Sequence, residues 1–476
     1  MGANWRKLSK RMFRNYLNYA VFIFSIMYLR KKDVPENVKM MYSSEKFKGN
    51  GPCVDRVSLV EEPLTSLSTR IHILSSAEKT IDISYFAIQM GKTTDYFLGA
   101  ILDAADRGVH VRILVDGASG GLTRSNKEYA VALGAHPNID LKVYNPPDFL
   151  KPWTYNGRLH DKYIIIDNKL LLLGGRNIGD KYFNPIGYDK NISIDRDVLI
   201  YNTEYDKGSS ASVLFQVRSY MSEIWHSAYV SMPFSQESNT GRQKRKELSE
   251  NFSMIKKAYP TLFDHSHDDY EKTTFEANRI TFLHNPIKTT QKNPTVAYAL
   301  QNLMLTAKKS VTLQSPYVVL DDGLKKFFRD LGKKGIDCRL LTNSVASTLN
   351  MPAYSMYYID KKELLQTGLR VWEYQSQNAI HAKTYLIDGR ISAVGSFNLD
   401  PRSAYIDTEL MLVIDSKDFT EYLSGIQSQY FNHSLEVGCD GKYIQRSDIE
   451  EAKVNPAKKT AIKILSVPMR FFKYLV

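Results

Sequence analysis

One short stretch occurs twice. The first copy runs from His160 through Lys162, Asp167, Gly174 and Gly175 to Asn177, the second from His381 through Lys383, Asp388, Gly395 and Ser396 to Asn398. Both follow one skeleton: His-x-Lys, four further residues, Asp, and later a Gly-Gly or Gly-Ser pair with an Asn two residues beyond it. The apolar run after each Lys reads as a buried strand, and Asp-Asn or Asp-Gly before a second apolar run reads as a tight hairpin. A two-residue Asp388-Gly389 loop sets Ser396 opposite His381 and Asn398 opposite Ala379; the same loop in the first copy sets Gly175 opposite His160 and Asn177 opposite Arg158. Residues two apart on a strand share a face, as do directly opposed residues. His, Lys, Ser or Gly, and Asn are therefore expected to converge on one patch per copy, with Asp167 and Asp388 on the other register, holding the turn. A base or nucleophile, a fixed cation and neutral donors make a cradle for a phosphate whose phosphorus is attacked. One His-x-Lys on a strand is as readily incidental as functional; two with identical spacing are not.

The repeat extends beyond the motif. Ala77 to Tyr85, the helix Phe97–Arg107 and the strand His110–Asp116 are answered by Ala307 to Gln314, the helix Leu324–Lys333 and the strand Cys338–Asn343. The separation of equivalent positions drifts from 230 (Ala77 and Ala307) through 227 (Arg112 and Arg339) to 221 (the two histidines), as a tandem duplication with small insertions requires. The pattern is α/β, and residues divide as 1–40, a basic and apolar N-terminal segment; 41–265 and 266–440, the two duplicated domains; and 441–476, a basic amphipathic tail.

The doubled His-x-Lys-x4-Asp pattern resembles the phospholipase D superfamily. Gly-Gly-Arg-Asn-Ile-Gly-Asp (174–180) and Gly-Ser-Phe-Asn-Leu-Asp-Pro-Arg-Ser (395–403) resemble its bacterial cardiolipin synthase branch, and the likeness covers roughly residues 55 to 435. The resemblance implies a tandem duplicated phospholipase D-like sandwich, two mixed sheets flanked by helices, with one active-site cleft between the halves. It also implies phosphatidyl transfer in two displacements, cardiolipin and glycerol being made from two phosphatidylglycerols. One imidazole attacks phosphorus while the other protonates the departing alkoxide, and the phosphohistidine is then attacked by an acceptor hydroxyl. In much of the superfamily the first-half His is the nucleophile, which favours His160. Lys162, Lys383, Asn177, Asn398 and Ser396 would neutralise and orient the non-bridging oxygens. Family members place an acid against the imidazole, and Glu409 and Asp197 match by context at the start of the apolar strands that follow. Neither metal nor cofactor is expected, since histidines and lysines supply proton transfer and charge. Hydrolysis to phosphatidic acid, nuclease action on DNA and non-catalytic membrane binding are the alternatives.

Lys+Arg 63 against Asp+Glu 51 gives a net charge of +12, which favours a polyanionic partner, an anionic membrane or nucleic acid. The ends favour anionic phospholipid at the cell membrane over nucleic acid, and the oligomeric state stays open. Arg6, Lys7, Lys10, Arg11 and Arg14 precede an almost wholly apolar run, Tyr16 to Leu29, which Arg30, Lys31 and Lys32 close. Fourteen helical residues span about 21 Å, short of a hydrocarbon core of roughly 30 Å, so a stretched transmembrane anchor and an in-plane helix fit equally, with a buried core helix as a third reading. At the other end, 457–476 mixes cations with large apolar residues and reads as an interfacial helix kinked near Pro468, or as a segment packed on the core. Ser235 to Glu250 is polar and basic, a surface loop or helix. Cys53, Cys338 and Cys439 are too scattered for a disulfide framework or a zinc pattern, and His265-Ser-His267-Asp-Asp, with no other ligand cluster to complete it, reads as a surface polar loop.

Overall fold

The structure, a computed structural model, describes residues 2–28, 32–122, 126–208, 210–232, 234 and 236–475. Leu29, Arg30 and Lys31 of the N-terminal segment, Ser235 and Val476 lie outside the described residues, as does the Lys7 side chain. Among the described residues the first half builds a nine-stranded mixed sheet, in the order Phe275–Glu276, Asp55–Val60, Asp197–Asn202, Leu170–Gly174, Lys162–Ile166, Thr80–Tyr85, His110–Asp116, Ile139–Tyr144, Val230–Ser231. The second half repeats this order in eight strands: Arg279–His284, Leu410–Asp415, Ile391–Gly395, Lys383–Ile387, Ser310–Gln314, Asp337–Asn343, Arg370–Tyr374, Ser434–Glu436.

Both motif hairpins sit mid-sheet, and their continuous apolar runs follow from burial on two faces. Ile164, Ile166, Leu170 and Leu172 pack under the helices of the first half. Their alternates Tyr163, Ile165, Leu171 and Leu173 join Leu386, Val394, Leu412 and Ile414 of the second half in a single cluster between the sheets. The two halves are thus one sandwich, sheet on sheet, with helices outside. The basic run around residue 240 is a helix, Asn239–Ala258, which buries Leu248 and Phe252 in the first-half core.

The hairpin loops hold three residues, not two. Ile166 pairs with Leu170 and Ile387 with Ile391, so Lys383 faces Gly395 and every pairing expected from a two-residue loop shifts by one. Asp167 and Asp388 each adopt a left-handed φ of 51° as the first loop residue. Their carboxylates leave the hairpin altogether. Asp167 accepts the backbone N–H groups of Glu78, Lys79 and Thr80 at 3.0, 2.9 and 2.8 Å, and Asp388 those of Lys308, Lys309 and Ser310 at 2.7, 2.9 and 2.9 Å. The motif Asp therefore ties the turn to the start of the neighbouring strand. Asp388→Ala leaves three N–H groups without their acceptor and is expected to cost about 2–3 kcal/mol, a melting point lower by roughly 2–3 °C. An unchanged thermal melt would show that the turn holds without it.

The ends differ from a simple division into domains. Tyr42 and Phe47 bury in the second-half core, in one cluster with Leu300 and Val413, although they lie within residues 41–265. Pro456–Met469 is a helix that buries Ile462 in the same core, and Lys458 Nζ donates to the carbonyls of Ala346 and Thr348 at 2.8 and 2.9 Å. Ile464, Val467 and Phe472 remain exposed, so this tail both packs on the core and presents an apolar edge. At the N-terminus Gly2–Tyr28 is one helix lying on the surface, which overturns the buried-core reading. It exposes Trp5, Met12, Phe13, Leu17 and Phe22, and it touches the body where Tyr16 stacks on Phe149 at 4.1 Å and donates to its carbonyl at 2.8 Å. Among the described residues no helix is long and apolar enough to cross a membrane.

Candidate active site

Each motif histidine stands two residues before its strand, and two short cross-half contacts place it. Ala379–Ile380 runs parallel to Ser193–Ile194, and the N–H of His381 donates to the carbonyl of Ile194 at 2.6 Å. On the opposite side Thr408 N–H donates to the Arg158 carbonyl at 2.9 Å, and His160 N–H donates to Thr408 Oγ1 at 2.9 Å. These ladders cross the two halves, so each imidazole meets an acid from the other half. His160 Nδ1 lies 2.9 and 3.0 Å from the carboxylate oxygens of Glu409, and His381 Nδ1 lies 2.5 Å from Asp195 Oδ2.

Asp195 is the acid that the sequence reading misplaced on Asp197. Asp197 Oδ2 instead accepts from Ser66 Oγ, Arg70 and Arg176 at 2.9, 3.0 and 3.2 Å, inside the first half and away from either imidazole. Sheet register shows the slip: Gly174 pairs with Asp197, but Gly395 pairs with Met411, so Asp195 is the true counterpart of Glu409. An apolar strand slid by two residues keeps the same faces, so the pattern alone does not penalise that error. One signal was available in Gly175. A Cβ there would stand 2.3 Å from Asp195 Oδ1, so the second Gly of Gly-Gly is the space that Asp195 fills.

Ser396 replaces that Gly in the second copy and lands elsewhere than expected. Its Oγ donates to Glu409 Oε2 at 2.5 Å, so Ser396 serves the His160 pair rather than a patch around His381. Lys162 and Lys383 fold back to donate to the carbonyls of His160 and His381. Asn177 Nδ2 donates to Tyr182 Oη at 3.1 Å, and the Tyr182 ring packs against His381 at 5.8 Å. The amide oxygens of Asn177 and Asn398 are buried and have no protein partner. Sequence reasoning also missed the aromatic walls. Phe86 stands edge-on to His160 at 5.0 Å, and Tyr317 edge-on to His381 at 6.0 Å.

The electrostatics are not symmetric. Burial, then Lys162, holds the His160 imidazole well below the usual histidine range; burial, then Lys383, pushes His381 down to about 4. Burial also pushes the Lys162 ammonium down to about 7 and lowers Lys383. Glu409 is driven up to about 8 by burial against the pull of Lys162. For Asp195 burial acts upward, but Lys383, His381 and Arg176 outweigh it and keep the carboxylate ionised. Glu409 and Asp195 can both orient a neutral imidazole with Nε2 free. Only Asp195 adds a full negative charge to support an imidazolium.

Residues 71–205 and 300–431 match the family model described as cardiolipin synthase, PLD-like domain. The chain is 28% identical over 423 residues to cardiolipin synthase C of Escherichia coli K12, covering 78% of this chain and 84% of that one. It is 27% identical over 349 residues to a cardiolipin synthase of Alkalihalophilus pseudofirmus, covering 72% and 60%. The fold is similar to the crystal structure of a phosphatidylserine synthase from Haemophilus influenzae, with a TM-score of 0.62 and 14% identity over 91% of this chain and 99% of that one.

Proposed function

The chain belongs to the cardiolipin synthase, PLD-like domain family, a cardiolipin synthase-like enzyme of the phospholipase D superfamily, and on that premise we propose that it transfers a phosphatidyl group from one phosphatidylglycerol to another. The observation that carries this reading is the pair of buried imidazoles, each with Nδ1 on a carboxylate from the opposite half and a lysine hydrogen-bonded to its own carbonyl. Two phosphoryl transfers need a nucleophile and an acid that trade a proton, and this arrangement supplies both.

The asymmetry supports His160 as nucleophile. Burial holds its ring neutral, and Nδ1–H donated to the Glu409 carboxyl leaves the Nε2 lone pair for phosphorus. His381, set against ionised Asp195, takes up a proton once the anionic phosphate arrives and gives it to the departing glycerol oxygen. The P–O bond to the headgroup breaks as the P–Nε2 bond forms. In the second half-reaction His381 removes the proton of the acceptor hydroxyl, whose oxygen displaces His160. Lys162 and Lys383 offset the charge on the equatorial oxygens, while Asn177 and Asn398 accept hydroxyl protons of the glycerol groups.

The test is the product. Purified protein added to phosphatidylglycerol vesicles should yield cardiolipin and free glycerol in equal amounts, read by mass. Phosphatidic acid in place of cardiolipin would make it a hydrolase. Nicked DNA with no lipid product would remove the lipid assignment.

Membrane attachment is part of the same reading. The N-terminal helix presents Trp5, Met12, Phe13, Leu17 and Phe22 together with Arg6, Lys10, Arg11 and Arg14. Each cation near an anionic surface adds on the order of 1 kcal/mol, and the aromatic and aliphatic groups add burial. Deleting residues 1–28 is therefore expected to weaken binding to phosphatidylglycerol vesicles by at least about 100-fold. Turnover of a short-chain soluble phosphodiester should stay within twofold. Equal sedimentation of both forms with vesicles would refute the attachment.

A further inference from the structure

Three side chains converge far from the histidine cleft. His72 lies in the last turn of helix Pro63–Ser75; His265 and Asp268 lie in the segment that joins the two halves. One ligand atom from each falls within 4.8 Å of the others. His72 Nε2 stands 2.8 Å from Asp268 Oδ1, and His265 Nδ1 stands 3.0 Å from Asp268 Oδ2.

In the neutral rings the hydrogen bonds decide which nitrogen bears the lone pair. His72 Nδ1 is 2.8 Å from the carbonyl of Leu262, which only accepts, so Nδ1 carries the proton and Nε2 faces the carboxylate. Ser75 Oγ spends its one proton on the His72 carbonyl at 2.8 Å, so it accepts from His265 Nε2 at 3.0 Å. That leaves the His265 Nδ1 lone pair facing the same carboxylate. Two nitrogen lone pairs and a carboxylate aimed at one point repel one another unless a cation lies among them.

We propose that His72, His265 and Asp268 bind one divalent transition ion of the zinc class. Two imidazoles and a carboxylate are zinc-type donors, and outer hydrogen bonds from the non-ligating ring nitrogens to a carbonyl and a hydroxyl are the usual support of such sites. Donors around tetrahedral zinc stand about 3.4 Å apart, which a small outward turn of the Asp268 carboxylate provides. The side chains are 22%, 29% and 18% exposed, which leaves the outer side for a water as fourth ligand. The ion fastens the joining segment to helix Pro63–Ser75, whose Ser66 and Arg70 hold Asp197. The role is structural, because none of the three touches the imidazoles of the cleft.

The experiment uses the full chain, stripped with chelator and titrated with ZnCl2 against a chromogenic competitor. One equivalent should bind, and zinc should raise the melting point. His72→Ala and His265→Ala should each weaken binding at least 100-fold, whereas the neighbouring His267→Ala should not change it. Cobalt loaded into the unaltered chain should give the intense visible bands of a tetrahedral site, a readout that does not depend on how the variants fold. Cobalt bands or one tight equivalent lost with His72 and His265 support the site. It is overturned if zinc neither binds nor stabilises, if binding survives both substitutions, or if acid alone stabilises the cluster, since protons then occupy the place assigned to the metal.

Discussion

His160→Ala is expected to abolish lipid transfer, with a loss of about 10⁴–10⁶ in kcat, and to leave no covalent phosphoryl adduct under any condition. His381→Ala should cost a similar factor with phosphatidylglycerol, whose glycerol alkoxide leaves only when protonated, but little with a diester bearing an aryloxide leaving group. With that activated substrate His381→Ala should build up a stable adduct on His160, because the base that activates the second acceptor is missing. The difference rests on the unequal acids. His160 faces a Glu409 pushed up to about 8, and His381 an Asp195 that stays ionised. Intact-mass and peptide analysis after rapid quench decides the point. An adduct on His381 in the His160→Ala protein would exchange the two roles.

The second expected result separates two buried aspartates two residues apart. Asp195→Asn should preserve the fold yet lower kcat by roughly 10⁴, since an amide at 2.5 Å from Nδ1 favours the wrong tautomer and removes the charge that supports the imidazolium. Asp197→Asn should do the opposite. It leaves the Arg70 and Arg176 guanidinium groups buried beside a neutral amide, a loss of about 3–5 kcal/mol and a melting point lower by about 3–5 °C. The kcat of its folded fraction should fall no more than a few-fold. Measuring kcat and melting point for both variants gives a crossed pattern. Equal catalytic loss in the two would mean that the cross-half pairing of His381 is not what positions its ring.

Much of this protein was legible in its sequence because the relevant physics is local or repeated. Continuous apolar runs after His160-x-Lys162 and His381-x-Lys383 can only be strands buried on two faces, and the alternation of Ile164 and Ile165 between two cores bears this out. The drifting repeat revealed a duplicated α/β pattern, the family resemblance implied the sandwich, and the strand His110–Asp116 fell where it was expected. Loop length was less accessible. Asp-Gly suits a two-residue turn, but Asp388 spends its side chain on three N–H groups some eighty residues away, and that distant demand lengthened the loop to three.

What only the tertiary structure decided is which residues meet across the two halves. Composition and spacing place His, Lys, Ser and Asn on a strand, but an acid partner on another half has no fixed separation in sequence, and a period-two strand looks the same when slid by two. The Ala379–Ile380 and Ser193–Ile194 ladder removes that freedom, setting His381 on Asp195 rather than Asp197, and the Thr408 contacts set His160 on Glu409. The same reason hid the cluster of His72, His265 and Asp268. Two of its members are local, and the third becomes their neighbour only when the joining segment folds back across the first half.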